Sequence, residues 1–126
     1  MQKKVTLYTD GACSGNPGIG GYAGILMYGD AKLEYNGSEL ETTNNRMELM
    51  AVIVGLEALT KPCQVTVVSD SKYVTDAFNQ HWVDGWLKRG WKNSSKEPVK
   101  NIDLWQRLLR AKAPHQVKFT WVKGHA

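Results

Sequence analysis

Residues 44–70, NNRMELMAVIVGLEALTKPCQVTVVSD, decide how this chain folds. Met47, Met50, Ala51, Val54 and Ala58 recur at helical spacing, which predicts a helix over Asn44 to Leu59, ended by Lys61-Pro62. Val65-Thr66-Val67-Val68-Ser69 then reads as a short strand. A strand that follows a crossover helix pairs in parallel through a right-handed connection. The natural neighbour is the earlier run Val5-Thr6-Leu7-Tyr8-Thr9, so the carboxyl ends of the two strands are expected to share one crevice.

Working upstream, a glycine-dense turn is expected from Gly11 to Gly21, followed by strands Tyr22 to Tyr28 and Lys32 to Leu40 with Gly29-Asp30-Ala31 between them. That arrangement reads as an antiparallel meander. Downstream, Ser71 to Gln80 and Trp82 to Arg89 permit helix, and Asn93 to Pro98 is a polar loop. Asn101 to Ala111 is amphipathic with Leu104, Trp105 and Leu108 inward, and Gln116 to Lys123 alternates as a closing strand. The order of elements predicts an α/β domain, a mixed sheet with helices on its faces.

Composition narrows the function class without naming it. The 126 residues, 42% of them hydrophobic, fit one small globular domain. Sixteen Lys and Arg against twelve Asp and Glu leave a net charge of +4, which favours a polyanionic partner but identifies none. Cys13 and Cys63 lack CxxC or Cys/His zinc spacing and read as free thiols. No run approaches the ~20 apolar residues of a membrane span, and Met1-Gln2-Lys3-Lys4 leads into a strand rather than an apolar signal core, so no membrane partner and a cytoplasmic location are expected.

Three acids sit where segments meet: Asp10 and Asp70 each close a strand-like run, and Glu48 lies in the first turn of the long helix. Each has an ordinary alternative. Asp10-Gly11 is a common turn dipeptide, Asn45-Arg46-Met47-Glu48 can be written as an N-cap with its reciprocal Glu, and Asp70 could cap the next helix. Three independent caps have no reason to converge at the carboxyl edge of adjacent strands. Acids that do converge repel, and bound cations relieve that repulsion.

Five stretches, TDGACSGNPGIGGYAGIL, TTNNRMELMAVIVGLEAL, SDSKYV, WLKRGWKNSSKEPVKNIDLWQRL and FTWVKGHA, resemble bacterial ribonuclease HI in the right order and over the whole length. The resemblance implies a ribonuclease H-like fold, a mixed five-stranded sheet of three antiparallel strands then two parallel ones, flanked by helices, with residues 1–126 as one domain. It implies an endonuclease that hydrolyses the RNA strand of an RNA–DNA hybrid by in-line attack of water, leaving 5′-phosphate and 3′-hydroxyl ends. Asp10, Glu48 and Asp70 match the family's metal-binding acids, and their hard oxygen donors suit Mg²⁺, with Mn²⁺ a substitute. His125 matches a family histidine implicated in proton transfer or product departure. His125→Ala is expected to lose part of the rate, and full activity would return the residue to an ordinary exposed terminus.

Substrate contacts follow from the same match. Cys13, Asn16, Asn44 and Ser71 would face the RNA minor-groove edge, and Thr43 and Asn45 the DNA strand. From Trp82 to Lys100, basic residues Lys88, Arg89, Lys92, Lys96 and Lys100 outnumber Asp84 and Glu97 and are interleaved with Trp82, Trp86 and Trp91. The ordinary reading, core tryptophans under a solvated basic face, is preferred for Trp86 and Trp105. The cluster as a whole resembles the family's basic protrusion, which implies that Trp82, Lys88, Arg89 and Lys92 grip the DNA strand's phosphates. Recognition would rest on groove shape, the 2′-hydroxyl and backbone charge rather than base sequence.

Three departures from the family pattern matter. Lys72 stands where relatives often carry Gln, Gly85 where they often carry Asn, and one extra residue precedes Trp82. The family also continues past GHA with a fourth active-site Asp and a helix, so the domain is expected to be incomplete at its C-terminus. The alternative function is then a non-catalytic hybrid-binding module, and a different nuclease on the same fold is disfavoured by KRGWK. A monomer is the default expectation.

Overall fold

A computed structural model describes residues 3–124. The elements in order are β1 (Lys3–Gly15), β2 (Gly18–Tyr28), β3 (Ala31–Thr42), α1 (Asn44–Glu57), β4 (Cys63–Ser69), α2 (Lys72–Asn79), α3 (Trp82–Lys88), α4 (Ile102–Lys112) and β5 (Gln116–Trp121). They form a five-stranded sheet in the order β3-β2-β1-β4-β5. β1 with β2 and β2 with β3 run antiparallel, whereas β1 with β4 and β4 with β5 run parallel. The expected mixed sheet is therefore present, with the Asp70 strand directly beside the Asp10 strand.

The glycine-dense segment is not a turn. β1 runs on to Gly15 and β2 starts at Gly18, so only Asn16-Pro17 turns the chain, and Gly11, Gly20 and Gly21 lie inside paired strands. Close packing is the physical reason: a Cβ on Gly20 would stand 2.5 Å from Thr42 Cγ2 and 2.9 Å from Met47 Cγ. The glycines thin the hairpin where the start of α1 lies against it.

α1 is also more enclosed than one apolar stripe suggests. Leu49, Val52, Ile53 and Leu56 are buried as well as Met47 and Ala51, while Val54 is half-buried and Ala58 is exposed. The helix lies between the sheet, through β1 and β2, and α4, so it buries two faces instead of one. Arg46 ties the two helix starts together, with Nη1 and Nη2 donating to the Asp103 carboxylate at 3.0 and 2.8 Å and Nη1 also reaching Asn101 Oδ1 at 3.2 Å.

Leu104, Trp105 and Leu108 of α4 point inward as expected, and Trp105 is fully buried. Its indole meets the rings of Tyr73, Phe78 and Trp86 at centroid distances of 5.4, 5.8 and 5.2 Å, and its Nε1 donates to Tyr73 Oη at 3.0 Å. Burial of an indole of this size contributes on the order of 4 kcal/mol. Trp86 is half-buried against it, so both belong to the core. Among the described residues, no helix is long and apolar enough to cross a membrane.

Candidate active site

The lengths of the strand pairings set the site. Parallel pairing of β1 with β4 ends at Tyr8 and Val68, while antiparallel pairing of β1 with β2 continues to Gly15 and Gly18. β1 thus overhangs β4, and Asp10 stands near the start of the overhang, inside the strand rather than at a strand end. The Thr9 hydroxyl donates to Val68 O at 3.4 Å across the last paired position. β4 stops at Ser69, so Asp70 begins the return beside Asp10.

Each ordinary alternative for the acids is filled by another group. Asp10 pairs with Ala23 in mid-strand, so Asp10-Gly11 is no turn. Thr43, not Asn45, caps α1 by accepting from Arg46 N, which puts Glu48 in the second turn of the helix. Ser71, not Asp70, caps α2 by accepting from Val74 N. The three acids are free of capping duty, and one oxygen from each lies within 4.8 Å of the others.

Glu48 is the buried member at 4% exposure. Its Oε1 accepts from Gly11 N at 2.9 Å, and its Oε2 is buried with no hydrogen-bond partner. Burial above all, then repulsion from Asp70 and Asp10, pushes its pKa up to about 7 against the opposing pull of the Gly11 N–H. An orphaned carboxylate oxygen next to two further carboxylates fits a hard divalent cation, which would supply the missing partner and neutralise the repulsion.

A consequence can be measured in metal-free protein. The folded state raises the Glu48 pKa from 4.5 to about 7. The stability tied to its proton is present below pH 4.5 and is lost as pH rises through about 7. Glu48→Gln should therefore stabilise the protein in EDTA at pH 8 by roughly 3 kcal/mol more than at pH 5. Urea unfolding at the two pH values gives the comparison; an equal effect at both would rule out the shifted titration.

Several supports were not legible beforehand. Trp121 Nε1 donates to Asp70 O at 3.1 Å, and Val122 N donates to Ser69 O at 3.0 Å, which straps the end of β5 to the Asp70 bend. A Cβ on Gly124 would stand 3.1 Å from Asp70 Oδ2, so this backbone lies against the carboxylate. Lys72 Nζ sits 4.7 Å from the centroid of the Trp121 ring. Asp10 and Asp70 line a crevice of about 560 Å³ with Tyr8, Val68, Val122 and Gly124.

The remaining sequence-derived residues occupy three places. Cys13 and Asn16 lie on the β1–β2 hairpin, where Cys13 Sγ is 3.3 Å from Thr42 O and Asn16 is exposed. Thr43 caps α1, Asn44 and Asn45 are exposed in its first turn, and Ser71 caps α2. Trp82, Lys88, Arg89 and Lys92 are exposed on α3 and the loop after it. His125 lies outside the described residues.

The ribonuclease H family model matches residues 2–126. The chain belongs to the ribonuclease H family. The ribonuclease H of Lachnoclostridium phytofermentans is 65% identical over 128 residues, covering 97% of this chain and 81% of the relative. Among solved structures, LC9-RNase H1, a type 1 RNase H with the type 2 active-site motif, superposes with a TM-score of 0.88 at 34% identity. That match covers all of this chain and 65% of the solved one. LC11-RNase H1, solved in complex with an RNA/DNA hybrid, shares the fold with a TM-score of 0.70 at 22% identity, covering 94% of this chain and 85% of that one. Membership of the family makes the chain an enzyme of the ribonuclease H class, with an acidic cluster of the kind that holds a divalent metal.

Proposed function

We propose that residues 1–126 form a ribonuclease H domain, acting as a cytoplasmic monomer, that hydrolyses the RNA strand of RNA–DNA hybrids with Mg²⁺, Mn²⁺ being a substitute. The observation that carries this reading is the buried Glu48 oxygen left without a partner beside Asp10 and Asp70. Attack of water in line with the leaving ribose oxygen would give 5′-phosphate and 3′-hydroxyl ends. Asp10, Glu48 and Asp70 would hold the divalent ions, which would supply Lewis-acid charge neutralisation and a water of lowered pKa.

The chain's own part is to hold the acids. Gly11 N–H fixes one Glu48 oxygen and leaves the other free, and the Thr9 bond to β4 holds the Asp10 strand against the Asp70 strand. Trp121 holds the Asp70 carbonyl from the far side. Cys13, Asn16, Asn44 and Ser71 would meet the RNA strand and Thr43 and Asn45 the DNA strand, while Trp82, Lys88, Arg89 and Lys92 would grip backbone phosphates. His125 would assist proton transfer or product departure.

The test is Mg²⁺-dependent cleavage of end-labelled hybrid, run beside RNA duplex and DNA duplex. Cutting confined to the RNA of the hybrid is the expected result. Tight, salt-sensitive binding without cutting would instead mark a non-catalytic binding module.

A further inference from the structure

Gly85 is out of place on helical grounds. It sits inside the seven-residue α3, where glycine costs about 1 kcal/mol against alanine. A Cβ there would stand 3.1 Å from Nη1 and 3.1 Å from Nη2 of Arg89, and 3.4 Å from its Cζ. The space a side chain would take is filled by the Arg89 guanidinium, folded back over one turn of helix.

A second contact fixes the same group. Arg89 Nε donates to Lys92 O at 3.0 Å. The loop that offers this carbonyl is itself braced: Lys92 bridges to Pro98, and Asn93 Oδ1 accepts from Ser95 N at 2.9 Å and Glu97 N at 3.0 Å. Among the described residues, neither Nη of Arg89 has an acceptor, and the side chain is exposed. Asp84, the acid of α3, is engaged with His81 Nδ1 at 3.0 Å. The guanidinium is anchored through Nε, and its two Nη groups, turned toward Gly85 and without an acceptor among the described residues, lie on the segment that also carries Lys88 and Lys92.

We propose that Gly85 is a positioning residue, whose missing side chain seats Arg89 so that both Nη groups meet a backbone phosphate of the hybrid. This rests on the hybrid-binding reading above. A guanidinium already fixed in orientation gives up less freedom on binding, and its planar fork matches phosphate oxygens two at a time. Lysine cannot reproduce that geometry.

Hybrid binding in EDTA, where cleavage cannot proceed, is measured across a salt series for wild type, Gly85→Ala, Arg89→Lys and Arg89→Ala. Gly85→Ala meets only the far end of a flexible side chain, so it folds, with an unchanged or raised melting temperature, yet binds hybrid about three- to tenfold more weakly. Arg89→Lys weakens binding similarly with the salt slope kept, and Arg89→Ala lowers that slope by about 1. Wild-type affinity in Gly85→Ala would overturn the proposal. So would a fall of several degrees in its melting temperature accompanying the weaker binding, since that marks a purely structural glycine. Wild type that fails to bind hybrid in a salt-dependent way would overturn the functional reading, and this proposal with it.

Discussion

Asp10→Asn is expected to abolish the proposed Mg²⁺-dependent cleavage of the hybrid, by at least about a thousandfold, while the protein stays folded. Losing one donor from a preorganised electrostatic site already costs about 10²–10³ in rate, and on the proposed reading the change would also remove a metal ligand's charge. The fold tolerates the change for two reasons. The Asp10 side chain is exposed and makes no hydrogen bond to another described residue, and its charge contributes to the repulsion felt by Glu48. Metal-free Asp10→Asn should therefore melt at or slightly above the wild-type temperature. Near-normal cleavage by the variant would end the metal-site assignment.

Gly11→Ala is expected to be strongly destabilising for a single added methyl group. The added Cβ would stand 2.5 Å from Met47 C, 2.6 Å from Glu48 N and 2.7 Å from Met47 O, all backbone atoms of α1. No side chain can turn away to make room, so the helix must lift off the strand or the strand must bend. The cost lies at or above the upper end of overpacking effects, about 3 kcal/mol, and corresponds to roughly 10 °C in melting temperature for a domain of this size. The lift also stretches the Gly11 N–H bond to Glu48, so kcat falls in the fraction that stays folded. Gly29→Ala is the control: Gly29 has φ of +56° but nothing within 4 Å of a Cβ, so it carries backbone strain without the collision. If Gly11→Ala unfolds no more readily than Gly29→Ala, close approach is not what Gly11 provides.

Much of this architecture was legible because the chain keeps its local and global signals consistent. The crossover from α1 to β4 follows from one helical stripe and one short β run, and it places Asp10 beside Asp70. The glycines mislead, since a dense glycine run ordinarily punctuates the chain. In Gly11 and Gly20 the missing side chain instead admits a helix, and that need arises from a partner 30 or so residues away that no local pattern shows. Asn45 can be written as a cap of α1 because Ser, Thr and Asn all serve there; the choice of Thr43 depends on where β3 releases the chain. Trp121 and Gly124 were invisible as supports of Asp70 because their contact crosses two strand ends. Gly85 stood out as a departure from the family, and only the folded position of Arg89 supplies its physical reason.

The overhang of β1 past β4 also governs when the acids can act. Glu48 reaches Gly11 across 37 residues, and Asp10 meets Asp70 through the parallel β1–β4 pair. Such distant pairings close late, after the local hairpins and helices have formed. A nascent meander of β1, β2 and β3 holds Asp10 alone and has no means of gathering a metal. Binding of an ion by the three acids would therefore be reserved for chains that have completed the crossover, and by mass action it would draw the folding equilibrium toward them.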